Sequence, residues 1–145
     1  DQNIQLLIAG DGEERAHIQQ LMGSLALQKN VHLLGRRNDI PQLMSAADLF
    51  ILSSSFEGFG LVVAEAMACE TYVVATDCGG VKEVMGGFGT LVPKSDSKLL
   101  AEGMSGALQL SSNEKDRNNV DALQYVQHTL ALNSIVNQWI EIYES

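Results

Sequence analysis

Two glutamates, Glu57 and Glu65, stand eight residues apart around the glycine-bearing stretch Gly58-Phe59-Gly60-Leu61. A carboxylate is acceptor-only and can take two hydroxyl donors at once, so each glutamate suits a vicinal diol. Glycine has no Cβ, so a ligand can approach the backbone closely. The free N–H groups of a helix's first turn favour an anion. Together these features suit a ligand carrying both hydroxyls and phosphates. Glu57 would face a sugar, and Glu65, about a turn and a half into the following helix, would face a ribose. A structural alternative stands beside this reading. Ser54 and Glu57 fit a capping box of the S-x-x-E type, and Glu65 would then be a solvated helix position.

The flanks say what must position these residues. Asp48-Leu49-Phe50-Ile51-Leu52 is a short apolar run that suits a strand buried on both faces. Leu61 to Cys69 is apolar and rich in helix formers, so a helix starts near Gly60. The loop between them belongs at the C-terminal edge of a parallel sheet, where open α/β sheets bind ligands. Elsewhere the chain alternates in the same way. Strands are expected at Ile4 to Ala9, Val31 to Leu34, Tyr72 to Ala75 and Thr90 to Val92. Helices are expected at Glu13 to Ala26, from Asp39 to Ala46 with Pro41 in the first turn, and at Val81 to Met85. Three more follow at Asp96 to Leu110, Asn113 to Tyr125 and Leu130 to Tyr143. Strand–helix alternation implies an α/β, Rossmann-like parallel sheet with helices on both faces. Gly10-Asp11-Gly12, Gly58-Phe59-Gly60 and Gly79-Gly80 would be strand-end turns on one edge of that sheet. No linker or repeat divides the chain, so residues 1–145 read as one domain.

Composition excludes several classes. The 145 residues carry a net charge of −9, with only 9 lysines and arginines. That argues against broad nucleic-acid binding and against electrostatic docking to an anionic membrane. No apolar run approaches a membrane span, and no signal peptide is recognisable. Cys69 and Cys78 lack C-x-x-C spacing and read as reduced thiols of a cytoplasmic protein. The histidines show no metal-ligand spacing, so no metal and no cofactor is expected. Gly10-Asp11-Gly12 lacks the third glycine of a dinucleotide fingerprint. Lys82 follows Gly79-Gly80, where it either reaches a phosphate or is solvated.

Taken in order, these stretches resemble the C-terminal, donor-nucleotide-binding domain of family 4 retaining glycosyltransferases of the GT-B fold. Ile8-Ala9-Gly10-Asp11-Gly12 resembles the family's opening G-D-G strand and turn, and Val31-His32-Leu33-Leu34-Gly35 its V-x-F-L-G strand. Ala46 to Leu52 resembles A-A-D-x-F-x-x. Glu57 through Glu65 fits E-x7-E, Gly79-Gly80-Val81-Lys82-Glu83 the next loop, and Gly89-Thr90-Leu91-Val92 the final G-x-L-V. The resemblance implies that Glu57 contacts the donor sugar, as the catalytic residue, and Glu65 the nucleotide's ribose. Backbone N–H groups of Gly58, Phe59, Gly60 and Leu61 would serve sugar and diphosphate. Gly10, Gly12, Gly35 and Arg36 would complete the donor site, the last two near the nucleobase. The donor would be a UDP- or GDP-sugar. The acceptor would be a saccharide or lipid-linked molecule held by a separate N-terminal domain, in polysaccharide or lipopolysaccharide synthesis. The parent enzyme would be cytoplasmic, with a peripheral position at the inner face of the membrane as one option. A non-catalytic nucleotide-binding or assembly domain is the alternative on the same scaffold.

The chain departs from the family pattern in two ways. Glu70 stands where the family has a helix-ending glycine, and Tyr72 where it has proline. A left-handed Glu70 would cost roughly 1 kcal/mol. The family's first strand and helix of this domain, which bear an arginine and a lysine for the diphosphate, have no counterpart here. That strand would lie mid-sheet, so either the sheet closes over the gap or something else fills it. The chain alone is expected to bind nucleotide weakly and to catalyse nothing.

Overall fold

The computed structural model describes residues 4–144. In order come β1 (Leu6–Ala9), α1 (Arg15–Ser24), β2 (Val31–Gly35), α2 (Ile40–Ser45), β3 (Phe50–Leu52), α3 (Leu61–Ala68), β4 (Val73–Asp77) and α4 (Val81–Met85). Then follow β5 (Thr90–Pro93), α5 (Ser97–Gln109), α6 (Ser112–Tyr125), a π-helical turn at Val126–Leu130, and α7 (Leu132–Glu144). All strand pairing is parallel, and the strand–helix alternation expected from the sequence is present. The single sheet is not. β1 pairs with β2, and β3, β4 and β5 form a second ladder in that order. No ladder among the described residues joins the two sets. Contacts group the chain into two compact units, Asp1–Ile40 and Pro41–Ser145.

In the first unit β1 and β2 run in register from Leu6 against Val31 to Ile8 against Leu33, with an irregularity before Ala9 meets Gly35. Gly10 N–H donates to Gly35 O at 2.8 Å, which ties the ends of the two strands together. α1 buries no residue, and its start has no side-chain cap. It is shorter than its apolar spacing predicts, because Ala26 turns left-handed at φ 54° just after it. Among the described residues of this unit, Val31 alone is a buried apolar side chain.

The second unit has β4 at its centre. Val73, Val74, Ala75 and Thr76 are all buried, as expected for a parallel strand covered on both faces. Val63 and Met67 of α3 and Val81 and Val84 of α4 are among its fully buried side chains. Tyr72, Val74 and Ala107 pack with Leu100 and Met104 of α5. Asp96 caps α5 by accepting from the N–H groups of Lys98 and Leu99 at 3.0 Å each. Ser111 and Glu114 form a reciprocal capping box on α6, which starts one residue before the expected Asn113. Glu70 is left-handed at φ 56°, as its place in the family pattern requires. Its carbonyl accepts from Asn119 Nδ2 at 2.8 Å.

α7 is amphipathic as its spacing predicts, but Val136, Trp139, Ile140 and Tyr143 are exposed and the helix buries none of its described residues. Trp139 and Tyr143 stack on each other with ring centroids 6.0 Å apart. No helix among the described residues is long and apolar enough to cross a membrane. Both cysteines are free.

Candidate functional site

The strand–loop–helix unit β3–α3 carries the first group of candidate residues. The chain leaves β3 at Leu52, crosses Ser53 to Phe59 as an irregular loop, and enters α3 through Gly60. Gly60 sits at φ 85°, ψ 36° and is buried. Only glycine adopts that conformation without strain, and an added Cβ would also meet Val81 Cγ2 at 3.1 Å. The helix therefore starts where the sequence places it. No side chain caps α3, and its first turn holds no acidic residue. Val63 N–H closes that turn onto Gly60 O at 2.9 Å. The N-terminal amides ahead of it lack intrahelical acceptors and carry the positive end of the helix dipole.

Glu57 is half-buried in the loop, and its Oε1 accepts a long 3.3 Å hydrogen bond from Gly58 N–H. Because α3 begins at Leu61, Ser54 is not its cap, so the capping-box alternative for Ser54 and Glu57 is not what forms. Glu65 lies exposed in α3, on a helix that buries Val63, Ala66 and Met67. Phe56, Phe59 and Leu61 are exposed around Glu57. Glu57, Gly58, Phe59, Gly60, Leu61 and Glu65 thus belong to one loop and the helix it opens.

The loop is held from β4 and the turn after it. Thr76 Oγ1 donates to Ser54 O at 2.6 Å and lies 3.3 Å from Leu52 O. Cys78 Sγ lies 3.3 Å from Ser54 O, and Gly80 N–H donates to Gly58 O at 3.0 Å. In the sequence Thr76 reads only as the end of a strand, since its role depends on the tertiary pairing of β3 with β4. Beside this turn, Asp77, Leu91, Val92, Pro93 and Lys94 line a shallow groove at the C-terminal ends of β4 and β5.

Gly10, Gly12, Gly35 and Arg36 belong to the first unit. Gly10 and Gly35 are brought together at the ends of β1 and β2, both at positive φ, 132° and 66°. Gly12 and Arg36 are exposed. Arg37 is engaged with Asp39, its Nε donating to Oδ1 at 2.8 Å. That hydrogen bond holds the Asp39 carboxyl below the usual carboxylate range.

Comparison with known proteins gives consistent results. The family described as glycosyl transferases group 1 matches residues 1–122. N-acetyl-alpha-D-glucosaminyl L-malate synthase of Bacillus anthracis is 35% identical over 142 residues, which is 95% of this chain and 36% of that protein. An N,N'-diacetylbacillosaminyl-diphospho-undecaprenol alpha-1,3-N-acetylgalactosaminyltransferase of Campylobacter jejuni is 35% identical over 122 residues, 79% of this chain and 30% of that protein. Among solved structures, Anabaena Alr3699/HepE in complex with UDP-glucose superposes with a TM-score of 0.86 at 30% identity, covering 99% of this chain and 42% of that one. WaaG, a glycosyltransferase involved in lipopolysaccharide biosynthesis, superposes at 0.77 and 29% identity, with 87% and 34% covered. The chain spans well under half the length of each of these relatives.

Proposed function

The chain belongs to the group 1 glycosyl transferases, of GT-B fold, and on that premise we propose that it forms the donor-binding half of a retaining glycosyltransferase. The reaction moves a sugar from a nucleotide-diphosphate sugar to a saccharide or lipid-linked acceptor. One observation carries the reading. A half-buried glutamate, Glu57, stands on the loop that feeds, through a left-handed glycine, a helix with an uncapped and acid-free first turn. A carboxylate for sugar hydroxyls and an amide cluster for phosphates are thereby offered by one continuous segment.

Glu57 holds the donor sugar and acts by positioning and electrostatics rather than by forming a bond. Glu65 takes the ribose hydroxyls. The N–H groups of Gly58 to Leu61 receive the diphosphate and the sugar. Gly10, Gly12, Gly35 and Arg36 serve the rest of the donor, with Gly35 and Arg36 toward the base. UDP is the favoured nucleotide, since a neighbour at 30% identity is recorded with UDP and with UDP-glucose. The alpha linkage in a relative's name fits retention from an α-linked donor. The lipid-linked and lipopolysaccharide chemistry in the relatives' names supports an acceptor of that class, met on the cytoplasmic side. No metal or cofactor is needed for these roles.

Titration of the isotope-labelled chain with UDP, GDP and UDP-glucose, followed by amide shifts, tests this. Amides of Gly58 to Glu65 should move with UDP and UDP-glucose. Glu65→Ala should weaken both ligands about 10- to 100-fold, the worth of a charged hydrogen bond at about 1.5–3 kcal/mol. Glu57→Gln should weaken UDP-glucose more than UDP. A dispersed spectrum that no nucleotide moves would sink the donor-site reading for this chain.

A further inference from the structure

We infer that Gly79 is a positioning residue for Glu57, acting as a backbone template against which the carboxylate-bearing loop is moulded. The inference deepens the donor-site reading and rests on it for its functional consequence. Its structural part stands alone.

The observation is a close approach of two backbones. Gly79 adopts φ 54°, and a Cβ built on it would fall inside the carbonyl oxygen of Glu57, with Glu57 C at 2.8 Å and Gly58 O at 2.9 Å. The clash is with main chain, so no side-chain rotation relieves it. The next residue continues the contact. Gly80 lies flat against the same segment, where its Cβ would meet Phe59 O at 3.2 Å and Gly58 O at 3.3 Å, and its N–H donates to Gly58 O at 3.0 Å. Upstream, Thr76 and Cys78 hold Ser54 O. Four residues, Thr76 at the end of β4 and Cys78, Gly79 and Gly80 in the turn after it, thus contact the loop between Ser54 and Phe59 at successive points. Glu57 sits in the middle of that span, with its own carbonyl pressed on Gly79.

This arrangement separates two tasks. The loop presents Glu57 and the α3 amides to solvent, so it has little apolar side chain of its own to bury. Its two phenylalanines, Phe56 and Phe59, are 88% and 49% exposed. Rigidity has to come from main-chain contact with a partner strand end that is itself buried. A carboxylate misplaced by about 1 Å loses on the order of 100-fold in a reaction that depends on orientation. An absent side chain at residue 79 is therefore what fixes a present one at residue 57.

The test compares Gly79→Ala and Gly80→Ala with Gly89→Ala. Gly89 is the strain control. It sits at φ 78°, and its Cβ would enter the carbonyl oxygen of Val73, at the opposite, N-terminal end of the β4–β5 ladder. Gly79→Ala and Gly89→Ala should both lower the melting temperature. In the ligand-free spectrum Gly79→Ala should move the amides of Glu57 to Leu61 and speed exchange of the Gly80 N–H, Gly80→Ala should move them less, and Gly89→Ala should leave them in place. UDP-glucose affinity should fall about tenfold or more in Gly79→Ala and stay within about twofold in Gly89→Ala. If Gly79→Ala does not fold, Gly80→Ala must show a smaller shift at the same amides. Loop amides that stay in place in the folded variant, or that move equally in Gly89→Ala, overturn the inference. A wild-type chain that binds no UDP-glucose, with loop amides that still move in Gly79→Ala, overturns the donor reading and leaves the template in place.

Discussion

The two units solve the same problem with unequal means. In Asp1–Ile40 a two-stranded parallel ladder and one helix leave Leu6, Leu7, Leu21, Leu25 and Leu27 exposed, and Val31 is the buried apolar side chain among its described residues. In Pro41–Ser145 a three-stranded ladder puts β4 under cover on both faces and adds capped helices. Parallel strands depend on helices over both faces. The second unit meets that condition and the first does not. The candidate site follows the same division. Glu57 and Glu65 are borne by a segment anchored to a buried strand, whereas Gly10, Gly12, Gly35 and Arg36 sit at or just beyond the ends of β1 and β2, of whose residues Val31 alone is buried.

The strongest way to break this comparison is a matched truncation. Met67 is 2% exposed and Leu7 is 48% exposed. Met67→Ala should cost about 2–5 kcal/mol, the range for a buried large-to-small change. Leu7→Ala should cost under about 1 kcal/mol. Urea denaturation of both variants checks this, read by a probe in each unit. Equal losses would mean that the first unit's apolar residues are buried in the folded protein in solution.

Helix ends sharpen the contrast at a lower energy. Asp96 accepts two amide hydrogen bonds at the start of α5, while Glu14 at the start of α1 makes no side-chain cap. Asp96→Ala should destabilise by about 1 kcal/mol. Glu14→Ala should change stability by less than about 0.5 kcal/mol. Thermal melts suffice to separate them.

How far the sequence carried the reading follows from the same physics. Elements with local signals were legible. β4 shows as an apolar run, α3 follows Gly60, and the family's glycine at the place of Glu70 raises a left-handed conformation there as a condition to test. That Glu57 and Glu65 stand on one loop and the helix it opens was legible because their spacing is local too. The division into two ladders was not, because strand order is set by pairing between distant segments and no residue encodes it alone. The Ser111–Glu114 capping box carries the S-x-x-E signal, and it starts α6 one residue ahead of the expected Asn113. Thr76 and Gly79 act through contacts 20 or so residues away in sequence, so their types hint at nothing more than a strand and a turn.

Left-handed residues give a smaller, paired test. Ala26 and Glu70 both lie at positive φ, 54° and 56°, one in each unit. Glycine at either position removes about 1 kcal/mol of strain but loosens the unfolded chain, for a net gain of roughly 0.5 kcal/mol. Glu70→Gly should raise the melting temperature slightly. Ala26→Gly should do so only as far as the first unit unfolds together with the second. A gain from Ala26→Gly equal to that from Glu70→Gly would show that the units melt as one.

Two carboxylates carry the comparison into pH. Hydrogen bonds from Ser111 hold Glu114 below its ordinary range, and a hydrogen bond from Arg37 does the same for Asp39. In both, the folded pKa lies below the unfolded one. The stabilisation is therefore complete above the unfolded value and is lost as pH falls through the folded value, below the usual carboxylate range. Both groups are exposed, so the effects are small, but their origins differ. The Arg37–Asp39 contact is an ion pair, which added salt screens. The Glu114 contacts come from a neutral hydroxyl and an amide of Ser111, which salt screens far less. Carbon-detected titration of the two carboxyls at low and at high salt should therefore bring Asp39 back toward its ordinary value while Glu114 stays depressed. If both relax together, attraction to positive charge such as the N-terminal end of the α6 dipole, rather than local hydrogen bonding, governs the second unit's helix cap.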